Sequence, residues 1–522
     1  MSAAPRPPIF RLPIELRNII YKYYARVDGG YTHNFATNKL VKADGQCIDF
    51  ALNMTCRQIA AEMRSLNVLS LNNITFRTHH SKETDETAAH LHSSLSTVQG
   101  AKARLLDAMA PRFLTPDLSE AIAARYPRLQ PLLDGWRSDP PLSLARYSML
   151  LQDPRHSWGE APSLWNEFVD YTLKLLSELP NFPHEPQSIW WGMWNDYDAA
   201  RLINMQLPPP WAILGVEEAR QLQANVASAT GIHGYRHSDS ARNPDKSLKY
   251  TYSAASLAIR FLESIPHTTR GHIRHVLLDE DQESIAHAPC HIQGLIPFCR
   301  SNPRMTIKRQ VNLWTTCLYV DDPGFNAHYK GNKITWAIGS WLVEALRLTT
   351  LGMPRSSFQL FLDGAPLPEL AHKVFVQVAA NAVYHAATNI LYNRGTFSRP
   401  SWAMHRMRGN YCWEDLPQIY QDLTDGKLSY LISTSHDIFS YWTPEREIEE
   451  RGAVSHERWL AGWWSGMFSR FHTKAPLAPV DQLRPGSLSS FEATSFQWKE
   501  HVPDWLSLYN LPDGTENHLD GF

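Results

Sequence analysis

The stretch Ile273-Arg-His-Val-Leu-Leu278 is a short apolar run of strand length, and its neighbours decide how the body of the chain is read. Before it, Ala258, Phe261, Leu262 and Ile265 recur at helical spacing. After it, residues 294–299 read as a short helix. Met305, Ile307, Val311 and Leu313 then alternate as strand residues do, with Arg309 the polar member of that set. Residues 336–348 read as a helix, Phe358, Leu360 and Leu362 as a strand, and 370–391 as a long helix. Alternation of this kind predicts parallel strands joined by crossover helices. The result is an α/β layer or a short solenoid of the leucine-rich-repeat type, although no fixed repeat period is present.

Working outward, Asn73-Ile-Thr-Phe-Arg-Thr78 is a second β-favouring run, with Ile74 and Phe76 on one side. Between 81 and 250 strand signals nearly vanish. Residues 117–126 and 163–179 are helical in pattern, and Pro208-Pro-Pro210 and the polar stretch 238–245 are breakers. The helix and strand over 257–278 would follow 73–78 naturally as a crossover unit. Strands 73–78 and 273–278 are therefore expected in one sheet, with 81–250 inserted between them. The class is α+β and helix-rich. It comprises an N-terminal helical head with the first strand (10–80), a helix-rich insertion (81–250) and an α/β body (251–400). Trp-rich C-terminal helices (401–475, with 445–471 the clearest) and a Pro-, Ser- and Gly-rich tail (476–522) complete it.

The chain has 522 residues, 43% hydrophobic and 11% aromatic, which excludes a disordered protein. Lys and Arg number 50 against 52 Asp and Glu, a formal net charge of −2. This balance exerts no global pull on nucleic acid or an anionic membrane, and neither is expected as a partner. Residues 1–8 lack the apolar run of a signal peptide. The most apolar long stretch, 374–392, contains Gln377, Asn381, His385 and Asn389 and reads as a buried helix rather than a span. Six cysteines without a CxxC pair point to a reduced, intracellular chain, cytoplasmic or nuclear. The sequons at Asn53 and Asn73 then read as chance matches.

No motif for chemistry stands out. His287, Cys290 and His291 with Cys299 are the best metal candidates, but Pro289 breaks the helical spacing and structural roles are favoured. His272 and His275 point to opposite faces of a strand. His79-His80 and His90-x-His92 lie in a polar stretch and read as solvated. Residues 462–466 have the wrong spacing for a nucleophile elbow, and no dinucleotide fingerprint, P-loop or HExxH occurs. Asp279, Glu280, Asp281 and Glu283 follow a strand end and read as a solvated loop. Arg394, Arg399, Arg406 and Arg408 with His405, Phe397 and Trp402 could stack single-stranded nucleic acid. The charge balance favours a solvated loop packed by Trp402. Trp190, Trp191, Trp194, Trp463 and Trp464 read as core. None of the 18 Trp precedes Trp136. No catalytic residue, metal or cofactor is assigned.

The head begins Phe10-Arg-Leu-Pro-Ile-Glu-Leu-Arg-Asn-Ile-Ile-Tyr-Lys-Tyr-Tyr24. Pro13 suits the first helical position and Glu15 the positive end of the helix dipole. Leu16, Ile19, Ile20, Tyr23 and Tyr24 form one apolar face, and Asp28-Gly-Gly30 stops the helix. After a loop with Gly45, a second helix is expected over 52–66, with Leu52, Cys56, Ile59, Ala60, Met63 and Leu66 on its apolar face.

These helices resemble the F-box-like domain of filamentous-fungal proteins. The resemblance rests on Leu12-Pro13-x-Glu15-Leu16-Arg17-x-x-Ile20-Tyr21, then Leu52-x-x-x-Cys56-Arg57-Gln58-Ile59-x-x-Glu62 and the strand at 73–76. Residues 257–314, with Ile259-Arg-Phe-Leu262 and Gly294-Leu-Ile-Pro-Phe-Cys-Arg-Ser-Asn-Pro303, are similar to the same proteins. The resemblance implies that the head docks a Skp-type adaptor of a cullin ubiquitin ligase while the rest holds a protein substrate. Leu12, Pro13, Leu16, Ile20, Leu52 and Cys56 would be the docking surface or its supporting core. The chain departs from a standard F-box in the 27 or so residues, 26–52, between the helices. The competing reading has the two helices merely capping the body, with their apolar faces buried. Beyond a non-enzymatic interaction protein, the alternatives are an enzyme with a site in the Trp- and His-rich body and a structural scaffold.

Overall fold

The computed structural model describes residues 8–64, 68–144, 157–182, 198–231, 250–318, 328–329, 331–406, 411–435 and 443–451, with a few positions from 454 to 476. Seven strands form one sheet: β1 (Tyr31–Asn34), β2 (Lys39–Lys42), β3 (Asn73–Arg77), β4 (His275–Glu280), β5 (Thr306–Asn312), β6 (Phe358–Asp363) and β7 (Ile432–Thr434). Their order is β2-β1-β3-β4-β5-β6-β7. Only the β1–β2 pair is antiparallel.

Strands β3 and β4 are neighbours, with Ile74 opposite Val276 and Phe76 opposite Leu278. The sheet therefore closes across 197 intervening residues, 78–274, as expected if the helix and strand over 257–278 follow 73–78 as a crossover unit. A parallel pair needs a crossover, and here the crossover carries a whole helical layer.

The helices include α1 (Ile14–Ala25), α2 (Arg57–Arg64), α3 (Lys82–Phe113), α4 (Pro116–Arg125), α5 (Pro162–Ser177), α6 (Val216–Thr230), α7 (Ala254–Ser264), α8 (Ile296–Ser301), α9 (Gly331–Thr350), α10 (Pro368–Asn393), α11 (Leu416–Thr424) and α12 (Pro444–Arg451). Their starts follow local chemistry. Ser81 and Thr84 form a capping box for α3, Thr115 caps α4 with Pro116 behind it, and Ser253 caps α7. Gly231, at φ 65°, ends α6 in the left-handed conformation.

The strands put Phe76, Leu278, Leu360 and Ile432 in one cross-strand row, and these side chains join α3, α5, α7, α9 and α10 in a single apolar core. Helices of the 81–250 region thus share the core of the sheet. Arg309 occupies the same row. The opposite face of the sheet is more open: Arg77, His275, Thr306 and Lys308 are exposed, and Leu277, Gln310, Gln359 and Phe361 are half-buried.

Four sequence expectations change. The loop expected between the head helices contains the β1–β2 hairpin. Its strands are four residues each and largely polar, too short for alternation to show. Gly30, at φ 72°, makes its entry, because a Cβ there would lie 2.4 Å from the Asn73 carbonyl oxygen. The helix expected over 52–66 is a 3-10 turn, Leu52–Met54, followed by α2. Pro13 stands at the N-cap of α1, one residue before the helix. The helix expected over 445–471 stops at Arg451, and Val454 and Ser455 are non-helical. Most of that expected helix, together with Trp190, Trp191, Trp194, Trp463, Trp464, Arg408 and the polar breaker at 238–245, lies outside the described residues.

Candidate interaction face on the N-terminal head

Helix α1 is held by one stripe and presents another. Arg17, Tyr21 and Ala25, four residues apart, point inward. Tyr21 and Ala25 are buried, and Tyr21 packs with Ile59 and Met63 of α2 in a small core of its own. The Arg17 guanidinium grips Glu62 with two bonds, 2.9 Å and 2.7 Å long. The Tyr21 hydroxyl and Gln58 amide donate to the same carboxylate, each at 2.9 Å, and Arg17 also donates to the Leu12 carbonyl. These hydrogen bonds, Arg17 first, hold the Glu62 carboxyl down at about 2. Arg17, Tyr21, Gln58 and Glu62 all belong to the residues on which the resemblance to F-box-like domains rests, and in the structure they act together to fix α1 on α2. Asn72 then ties the head to β3, accepting from Val27 N and donating to the Ala25 and Val68 carbonyls.

The stripe read as one apolar face lies roughly opposite and faces solvent. Leu16, Ile19, Ile20, Tyr23 and Tyr24 are all exposed, Ile19 to 62% and Tyr23 to 84%. Ile14, in the first turn, is also exposed but lies in line with Tyr21 and Ala25 rather than on this stripe. The Tyr24 hydroxyl accepts from Leu52 N, which brings exposed Phe50 and Met54 to its edge. Eight of the ten large hydrophobic side chains exposed among the described residues fall between 14 and 54, so exposed apolar side chains are concentrated in the head. The capping reading fails for α1, whose apolar face is not turned to the body.

Of the six residues named from the motif, Pro13, Leu16 and Ile20 are exposed and Leu12 is half-buried. Leu52 and Cys56 are half-buried against the Tyr21–Ile59–Met63 core and support the face from behind. Ile19, Tyr23, Phe50 and Met54 were not in that set. The first two were legible from their spacing; the last two required knowing how the 49–54 turn folds back.

The structure does not assemble the other candidates. His291 is buried with its ring between the Ser253 hydroxyl and the Ala286 carbonyl, and burial pushes it down to about 3. His287 turns away to Glu344, 3.3 Å distant. Cys290 and Cys299 are buried thiols raised by burial. Among the described residues no three His, Cys, Asp or Glu are placed to hold a metal. His275 meets the Thr306 hydroxyl on the open sheet face.

Three groups read as solvated are not. Glu280 is fully buried: its carboxylate accepts two bonds from Arg309 and one each from Ala254 N and Ala255 N, capping α7 from outside the helix. Arg406 is buried against Glu160, the Trp158 carbonyl and the Trp402 ring. His79 stacks on Phe35, and His92 accepts from Ala286 N. In each case the partner lies far away in sequence, beyond the reach of local pattern.

A small cavity between α9, α10 and α11 is lined by Ile338, Phe375, Val378, Ile419, Tyr420 and other side chains, without a carboxylate, histidine or cysteine. No helix among the described residues is long and apolar enough to cross a membrane. Comparison of the chain with family models, curated proteins and solved structures finds no match to any of them.

Proposed function

We propose that this is a non-enzymatic interaction protein that acts inside the cell, its head docking a Skp-type adaptor of a cullin ubiquitin ligase and its body holding a protein substrate. The observation that carries the reading is the exposed apolar stripe of α1 on a rigidly clamped helix pair. Burying large side chains in a partner is the driving force such a face offers. Its surroundings favour an acidic partner: residues 8–72 hold eight Lys and Arg against five Asp and Glu, in a chain that is otherwise slightly acidic. The open sheet face, with Arg77, Lys308 and Phe361, is the surface with room for the substrate.

The test is direct binding of the full chain to a purified Skp-type adaptor by calorimetry. The reading expects a complex that Leu16→Asp weakens by about 100-fold or more, since hot-spot truncations cost about 2–4 kcal/mol. No binding by a folded wild-type chain, or equal binding by Leu16→Asp, overturns it.

A further inference from the structure

The joint between head and sheet contains two histidines whose surroundings suit only the neutral ring. His33, on β1, is 8% exposed and lies against Phe76 of β3 and Phe261 of α7, with ring centroids 5.1 Å and 5.7 Å away. Its Nε2 meets the Asn38 side chain at 2.9 Å, while its buried Nδ1 has no hydrogen-bond partner. His79, just beyond β3, is half-buried and stacks on Phe35 from the hairpin turn at 3.8 Å. Its buried Nε2 is likewise without a partner. Arg260 of α7 lies over the Phe35 ring, 4.8 Å from its centre.

Protonation would put a donor on each orphaned nitrogen with nothing to receive it, in apolar surroundings and beside a cation. We propose that His33 and His79 form an acid-sensitive latch that holds the β1–β2 hairpin on the sheet while both rings are neutral. Most of the charges around it act in the same direction. Arg260 opposes protonation of both rings, and His80 and His33 oppose protonation of His79; in the other direction the Asn38 hydrogen bond favours a charged His33 and Glu83, at the start of α3, a charged His79. His80 is itself engaged by Asp85. Burial is the largest effect on both imidazoles and lowers each below its ordinary value. The sign follows. A histidine that is harder to protonate folded than unfolded stabilises the fold above the ordinary imidazole range, near 6.5, and loses that contribution as pH falls below it. The latch is independent of what the head binds.

Amide hydrogen exchange of the full chain tests it, read as protection factors for residues 31–42 with intrinsic rates divided out. Between about pH 7.5 and about pH 5, protection of the hairpin should fall by about tenfold, while β4 and β5 stay protected. The fall should disappear in the His33→Gln, His79→Gln double variant. In Arg260→Gln, which keeps both rings and removes the opposing cation, it should shrink. Should the double variant not fold, His33→Gln alone should reduce the fall. Constant protection in the wild type, or an undiminished fall in the variants, overturns the latch.

Discussion

Single side chains in this protein act through partners remote in sequence. Arg309 was legible only as a polar residue at an apolar strand position. The structure explains it: all three guanidinium nitrogens donate, to Glu280 and to the Ala288 and Pro289 carbonyls, with Trp341 packed on the face of the group. Removing one partner leaves the other charge buried, so Arg309→Met should cost about 3–5 kcal/mol in denaturant melts. Arg309→Met combined with Glu280→Gln should cost less than the sum of the singles. The Arg17–Glu62 clamp gives a pH signature. With the Glu62 carboxyl at about 2 when folded and near 4.5 when free, its stabilisation is complete above about pH 4.5 and is lost as pH falls toward 2. Protection of α1 amides should fall through that window in the wild type and not in Glu62→Gln.

At the scale of elements, α1 carries two opposed stripes with opposite mutational signatures. Leu16→Asp or Ile19→Asp, on the exposed stripe, should change stability by no more than about 0.5 kcal/mol. Tyr21→Ala, one turn away on the inward stripe, should cost about 3–5 kcal/mol of local stability, seen as loss of α1 protection. A capping helix would show the reverse at Leu16. Periodicity identified the apolar stripe of Leu16, Ile19, Ile20, Tyr23 and Tyr24, because 3.6-residue repeats are local. It could not say which stripe faces the body, because that depends on where α2 and Asn72 hold the helix. The β1–β2 hairpin was invisible for a related reason: Tyr31 acquires its strand role from pairing with Ile74, not from its neighbours.

The molecule as a whole is built around one apolar core that runs from Ile74 to Ile432 and includes Leu91, Trp136 and Phe168 from the helical region between β3 and β4. Trp136 donates to Asp107, which also receives Leu144 N, so this region is ordered from within as well as against the sheet. The consequence is cooperative unfolding. Exchange protection of α3 and of β4 should be lost in one transition, and a chain lacking residues 81–250 should not show native protection in β4. Separate transitions for the two would count against a shared core.

The sequence by itself determined most element types from 254 to 393, the adjacency expected of 73–78 and 273–278, and the apolar stripe at the N-terminus. These are properties of spacing, carried by backbone geometry alone. Only the tertiary structure decided that the stripe at Leu16 and Ile20 faces solvent, that Glu280 and Arg406 are buried, and that His33 and His79 meet at the joint between head and sheet. Those outcomes depend on contacts between residues tens to hundreds of positions apart, and whether a charge or an imidazole is tolerated is set by the partners that packing supplies.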